Sequence, residues 1–142
     1  MLIDANLLLY AVDQRAVWHH AAVGWLSAQL NGSRRVGLPW QSLAAFLRIG
    51  THPRAFPRPL TPAAAFDIVD SWLSVPVAWA PEPGPEYARI LGHLIVAHDV
   101  RGNLIPDAML AALAIEHGLT LYSTDTDFAR FSDLRWENPL QR

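Results

Sequence analysis

Met1-Leu2-Ile3-Asp4-Ala5-Asn6-Leu7-Leu8-Leu9-Tyr10 sets one acid between a three-residue apolar run and a second run of leucines that ends in tyrosine. The pattern reads as a short buried strand ending at Asp4 and a helix starting near Asn6. A carboxylate among aliphatic side chains is costly to ionise unless it is hydrogen-bonded, protonated or bound to a cation. No turn signal or surface alternation surrounds Asp4, so a purely structural role fits it poorly. The rest of the chain must supply what neutralises it.

Outward from this stretch, helices and short strands alternate. Ala22, Trp25, Leu26 and Leu30 recur at helical spacing over His19 to Leu30, and Asn31-Gly32-Ser33 stops that helix. A short strand is expected over Arg35 to Pro39, then a helix from Trp40 to Thr51 carrying Leu43, Phe46, Leu47 and Gly50. Three prolines between His52 and Pro59 exclude helix there. Thr61 is a natural N-cap with Pro62 in the first turn, and Phe66, Val69, Trp72 and Leu73 are expected to form the buried stripe of the helix they open. Val75 to Trp79 reads as a strand, Pro81 to Pro85 as a loop, and Glu86 to Ala97 as a helix. After a polar break at His98 to Asn103, Pro106 opens a helix that reaches Glu116-His117 and stops at Gly118, with Leu110, Ala111, Ala114 and Ile115 facing inward. Leu119 to Ser123 is a buried strand, Thr124 to Arg130 a turn with a short helix, and Leu134 to Trp136 a last strand. This order implies an α/β fold in three α/β/α layers, with a mostly parallel sheet of four to five strands covered on both faces.

With 142 residues, half of them apolar, the chain suits a single domain over 1–142 with its own core. No apolar run approaches the roughly 18 residues that span a bilayer, and Met1 leads into a strand without a basic leader, so a cytoplasmic protein with no membrane segment or signal peptide is expected. The absence of cysteine removes disulfides, thiolate zinc sites and cysteine nucleophiles. All eleven basic residues are arginine. A lysine-free chain of net charge −2 has no simple basic nucleic-acid surface and no Walker-type phosphate loop. Abundant Ala, Pro, Arg and Trp also fits a GC-rich coding sequence, which explains the missing lysine without a function.

The acids fall where such a sheet would gather them. Asp4 ends the first strand, Asp125 and Asp127 follow the carboxyl end of the Leu119 to Ser123 strand, and Asp107 occupies the first turn of its helix. Parallel α/β sheets bind ligands in the crevice beyond their strands' carboxyl ends. Carboxylates packed together repel one another unless a divalent cation neutralises them, and an all-oxygen set suits Mg2+ or Mn2+. Blander roles exist: Asp107 can serve a helix dipole, and Asp125 and Asp127 can hydrogen-bond a turn. The six histidines form no His-Glu-x-x-His motif, and His93 and His98 do not share a helix face.

Four stretches together resemble the PIN-domain ribonucleases, and within them the VapC toxins of bacterial toxin–antitoxin pairs in their mycobacterial form. They are Leu2 to Ala11; Leu38-Pro39-Trp40 with Phe46-Leu47-Arg48 and Thr51-His52-Pro53-Arg54; Gly102-Asn103-Leu104-Ile105-Pro106-Asp107; and Ser123-Thr124-Asp125-Thr126-Asp127-Phe128. The resemblance runs from Met1 to Pro139 in order and spacing. It implies a metal-dependent endoribonuclease, a homodimer, an RNA substrate such as tRNA or rRNA, and a VapB-like antitoxin partner. It also implies that Asp4, Asp107 and Asp125 bind Mg2+ or Mn2+, that Asp127 is a further catalytic acid orienting a water, and that Asn6 and Ser123 hold the site together.

One element of that pattern is missing. Many members carry a glutamate beside the Phe-Leu-Arg segment, where this chain has Ala44-Ala45. Gln41, one turn earlier, is the nearest polar residue and offers only a neutral oxygen. Phosphodiester hydrolysis on shared carboxylates would use paired ions roughly 3.5–4 Å apart, with Asp4 as the shared ligand. Arg48, Arg54 and Arg58 near the proline-rich turn can position RNA phosphates or simply face solvent. Apolar surfaces on the first four helices suit an amphipathic antitoxin helix. A catalytically impaired module that binds RNA or antitoxin without cutting is the alternative. Phosphatases and receiver domains that also place aspartates at strand ends usually use a lysine, which this chain lacks.

Overall fold

The computed structural model describes residues 1–141. Five two-residue strands, β1 (Leu2–Ile3), β2 (Val36–Gly37), β3 (Ala78–Trp79), β4 (Leu121–Tyr122) and β5 (Trp136–Glu137), pair in the order β3-β2-β1-β4-β5. Every pairing is parallel, so the mostly parallel sheet expected from the alternation is parallel throughout. The strands are shorter than the apolar runs suggested: Val75 to Val77 and Leu119-Thr120 lead into β3 and β4 rather than belonging to them. Among the described residues six α-helices flank the sheet: α1 (Ala5–Val12), α2 (His19–Leu30), α3 (Trp40–Gly50), α4 (Pro62–Leu73), α5 (Tyr87–Ala97) and α6 (Ile105–Glu116).

Alternation along the central strands builds two cores. Ile3 of β1 and Met1 just before it, with Tyr122, face a cluster formed with Leu7, Leu8, Leu26, Leu43, Phe46, Val69 and Trp72. Leu2 and Leu121 point the other way, into a cluster with Leu94, Leu110, Ala111, Phe128 and Phe131. The period of two thus sends α1 to α4 to one face and α5 and α6 to the other. Close packing beside β1 explains one glycine: a Cβ on Gly37 would lie 2.8 Å from the Met1 carbonyl oxygen, whose partner is the Gly37 N–H at 2.9 Å. Gly118, at φ +65°, takes the left-handed turn that ends α6.

Thr61 caps α4 as expected, its hydroxyl accepting from the Ala64 N–H at 3.1 Å. Val69 and Trp72 of the expected α4 stripe are buried, but Ala65 takes the inward place of Phe66, which is 51% exposed. A 3.6-residue period places 65, 69 and 72 on one side and turns 66 outward. The polar break ends in a single 3-10 turn, Gly102–Leu104, which hands directly to Ile105 at the start of α6. Among the described residues, no helix is long and apolar enough to cross a membrane.

The strand order reverses about β1. The chain runs outward through β2 and β3, then returns to place β4 on the other side of β1 and β5 beyond it. That is a topological switch point, where the loops after β1 and β4 diverge and open a crevice. Asp4 is the residue after β1, and Ser123 the residue after β4.

Candidate active site

Asp4 caps α1. Its Oδ1 accepts from the Ala5 N–H at 2.7 Å, and its backbone is extended. Its Oδ2 accepts from the Ser123 hydroxyl at 2.7 Å and from Asn6 Nδ2 at 3.3 Å. Ser123 is fully buried, and its oxygen also accepts from Asn6 Nδ2 at 3.0 Å and from the Asp125 N–H at 3.0 Å. Asn6 Oδ1 accepts from the Thr124 N–H at 3.4 Å. Asn6 and Ser123 therefore lace the end of β1 to the loop after β4 and fix both Asp4 and the backbone of Asp125. Burial pushes the Asp4 carboxyl above its ordinary range; the Ser123 and Ala5 hydrogen bonds oppose that rise, and the Asp125 charge adds to it.

The loop after β4 is tightened by its own acids. Asp125 Oδ1 accepts from the Asp127 N–H at 2.8 Å, opening the 3-10 turn Thr126–Arg130. One oxygen each from Asp107, Asp125 and Asp127 lies within 4.8 Å of the others. Asp107 reaches them from the first turn of α6. Its carboxyl is pushed up to about 6, first by burial, then by the charges of Asp125, Asp4 and Asp127, with Arg130 pulling the other way. The compact trio is thus Asp107, Asp125 and Asp127, with Asp4 close enough to be felt but held back on its own hydrogen bonds.

An open cleft of about 440 Å3 lies between α1, α3 and α6, lined by Asp4, Ala5, Gln41, Ser42, Ala44, Ala45, Arg48, Pro106, Asp107 and Leu110. Gln41 donates from Nε2 to the Pro106 carbonyl at 2.7 Å, so this amide ties α3 to the start of α6. Ala44 and Ala45 contribute only methyl groups to the wall. Arg48 lines the cleft, whereas Arg54 lies on the proline-rich turn with its N–H donated to His52 Nδ1 at 3.0 Å, and Arg58 lines a separate cleft with Asp13, Arg15 and Phe56.

Two residues at the site escaped the sequence. Arg130 holds the trio from outside, its guanidinium 3.6 Å from Asp127 Oδ1 and its Nε donating to the Asp127 carbonyl at 3.1 Å. Its only sequence signal was a spacing of three from Asp127. Ser42 is 2% exposed and lines the cleft beside the acids with no partner for its hydroxyl among the described residues. Nothing in its sequence context marked it.

The donor set can hold a cation. It is all oxygen, it concentrates at least three carboxylates, and one of them, Asp107, has its proton affinity raised by burial and by its acidic neighbours more than Arg130 lowers it. Such a set favours a hard divalent ion over a transition metal that prefers nitrogen or sulfur.

Fold and site together define a class: a three-layer α/β/α protein with an acidic crevice at the switch point of a parallel sheet. The PIN domain family matches residues 1–134 of the chain. Ribonuclease VapC37 of Mycobacterium tuberculosis is 42% identical over 138 residues, covering 97% of this chain and 96% of its own. Ribonuclease VapC43 of the same organism is 38% identical over 140 residues, covering 99% and 95%. The fold is also that of a solved VapBC-1 structure from nontypeable Haemophilus influenzae, with TM-score 0.70, 15% identity and 99% and 98% of the two chains covered. A structure of VapBC2 from Rickettsia felis bound to a promoter DNA fragment gives TM-score 0.68 at 17% identity, with 96% of each chain covered. The chain belongs to the PIN-domain family, among the VapC ribonucleases.

Proposed function

We propose that this protein is a Mg2+- or Mn2+-dependent endoribonuclease, the toxin of a VapBC-type pair. The observation that carries the reading is the convergence of Asp107, Asp125 and Asp127 oxygens within 4.8 Å, beside an Asp4 whose carboxyl is raised by burial. Asp4, Asp107 and Asp125 would hold the cation, and Asp127 would orient a water. A divalent ion in such a site acts as a Lewis acid on the phosphodiester and makes water a stronger nucleophile at neutral pH.

The chain's own residues do the rest. Ser123 and Asn6 keep Asp4 in one rotamer, and the Asp125 carboxylate is anchored by its bond to the Asp127 backbone. Asp107, at about 6, is close to half-protonated in mildly acidic solution and gives up its proton readily to a cation. Arg48 on the cleft wall and Arg130 at its acidic rim supply positive charge for flanking phosphates. The names of VapC37 and VapC43, both ribonucleases, support RNA as substrate, with a structured tRNA or rRNA loop suiting an open cleft. Cytoplasmic location follows from that substrate, and residues 1–142 act as one unit.

A VapB-like antitoxin helix suits the shallow groove lined by Ala11, Val12, Leu26, Leu30, Ile68 and Trp72 on the α1, α2 and α4 face. The solved VapBC neighbours support such a partner, and a homodimer is part of the same reading.

The second reading, a binding module that no longer cuts, is favoured by Ala44 and Ala45 alone, since they leave α3 without an acid in the cleft. Total cellular RNA incubated with the protein, with and without Mn2+, separates the two. Cleavage that requires metal and disappears in Asp4→Asn supports the nuclease; RNA binding without cleavage at any metal concentration supports the module.

A further inference from the structure

Most of the tryptophans are engaged inside the fold. Trp25, Trp72 and Trp79 pack against the rings of Tyr122, Phe46 and His117, and Trp136 donates its Nε1 to the Ser123 carbonyl at 3.0 Å. Trp40, the first residue of α3, is 47% exposed and has no ring or cation partner among the described residues. It lines a second open cleft, of about 400 Å3, with Pro81, Glu82, Tyr87 and the exposed Met109. Large apolar side chains gathered at an open surface mark a binding site.

This cleft adjoins the acids. Gln41 lines both clefts and donates to the Pro106 carbonyl at 2.7 Å, so its side chain forms the ridge between them. Helix α6 serves both sides of that ridge: Asp107 and Leu110 line the acidic cleft, Met109 and Leu113 the other, as the helical period requires. The far wall is tied in place. The Tyr87 hydroxyl donates to the Met109 carbonyl at 3.3 Å, and the Glu82 carbonyl accepts from His117 Nε2 at 2.7 Å. The Gly84 and Glu86 N–H groups donate to the Glu116 carboxylate at 2.6 and 2.9 Å. The Glu82 carboxylate in this cleft repels a phosphate and can accept from the amino group of a base.

We propose that this cleft is a nucleobase subsite in which Trp40 stacks one base of the RNA strand whose backbone lies at the acidic cleft. The inference rests on the ribonuclease reading given above and adds the residue that grips a nucleotide beside the acids. Single-stranded RNA is recognised largely by stacking its splayed bases on aromatic side chains, and every base offers a π-face to an indole.

The test compares two labelled probes of equal length and charge, an oligocytidine RNA and its abasic ribose–phosphate counterpart, by fluorescence anisotropy with Ca2+ in place of Mn2+. Wild type, Trp40→Phe and Trp40→Ala are titrated, each with a melting curve and a sedimentation profile. Wild type is expected to bind the RNA at least about tenfold more tightly than the abasic probe. Trp40→Ala should lower RNA affinity by about tenfold and leave abasic affinity unchanged, while Trp40→Phe, which keeps an aromatic face, retains most of it. Unchanged RNA affinity in Trp40→Ala, an equal loss with both probes, or a change in its sedimentation that marks this face as a contact between copies of the chain would overturn the proposal and leave the ribonuclease reading standing. A wild-type chain that binds neither probe would overturn both.

Discussion

The Ser123 hydroxyl donates to Asp4 Oδ2 at 2.7 Å across 119 residues of chain, closing the gap between the ends of β1 and β4. Because that oxygen of Ser123 simultaneously accepts from the Asp125 N–H and from Asn6, one buried hydroxyl orders two acids that belong to different loops.

Ser123→Ala should therefore act on both stability and activity. It leaves the Asp125 N–H without its side-chain acceptor and Asp4 short of its best donor, which costs about 1–3 kcal/mol for buried polar groups. Urea denaturation should show a lower midpoint with an unchanged slope, and metal-dependent RNA cleavage should fall by at least about tenfold. A stable, fully active Ser123→Ala would mean that Asn6 and the Ala5 N–H are enough to fix Asp4.

The raised Asp107 carboxyl makes a signed prediction. Its value near 6 in the fold, against an ordinary 3.8, means that the native chain keeps a proton that the unfolded chain releases. The stability this contributes is complete below about 3.8 and is lost as pH rises toward and past 6. The buried Asp4 carboxyl works in the same direction. In chelator, the melting temperature of Asp107→Asn should exceed that of wild type by a margin that grows between about pH 4 and pH 7. A margin that stays flat over that range would show that Asp107 is not under strain from its neighbours.

Metal binding should release the same proton. Near pH 5.5 a cation must displace hydrogen from Asp107, so calorimetric heats of Mn2+ binding should depend on the ionisation enthalpy of the buffer; by about pH 8 that dependence should vanish. The apparent affinity should tighten as pH rises to about 6 and then level. Affinity independent of pH from 5 to 8 would place the ion away from Asp107.

Much of this was legible in the sequence because it rests on local chemistry. Asp4 between Ile3 and Leu7, Thr61-Pro62 at a helix start and Gly118 at a helix stop each announce themselves through neighbours a few residues away. What stayed hidden depends on distance or on phase. The helical period of α4 admits Phe66 to the buried side although the fold turns it outward, because a stripe containing both 65 and 66 is ambiguous by one position until the sheet face is known. Gln41 suggested a substitute ligand, but its amide meets the Pro106 carbonyl 65 residues away, a contact no spacing rule announces. Arg130 is an ordinary residue type whose meaning comes only from Asp127 opposite it.

The arginines offer the sharpest contrast between sequence proximity and spatial role. Arg48, Arg54 and Arg58 all flank the proline-rich turn, yet only Arg48 lines the cleft that holds Asp4 and Asp107. A phosphate drawn to the acids through a cation would pass Arg48, whereas Arg54 is exposed on the turn and Arg58 belongs to the cleft containing Arg15 and Phe56. Arg48→Ala should weaken binding of a single-stranded RNA and lower the magnitude of the log affinity against log salt slope by about 1, the signature of one lost phosphate contact. Arg54→Ala should leave both close to wild type. Equal losses in the two variants would indicate that RNA lies along the proline-rich turn rather than across the α3 wall of the cleft.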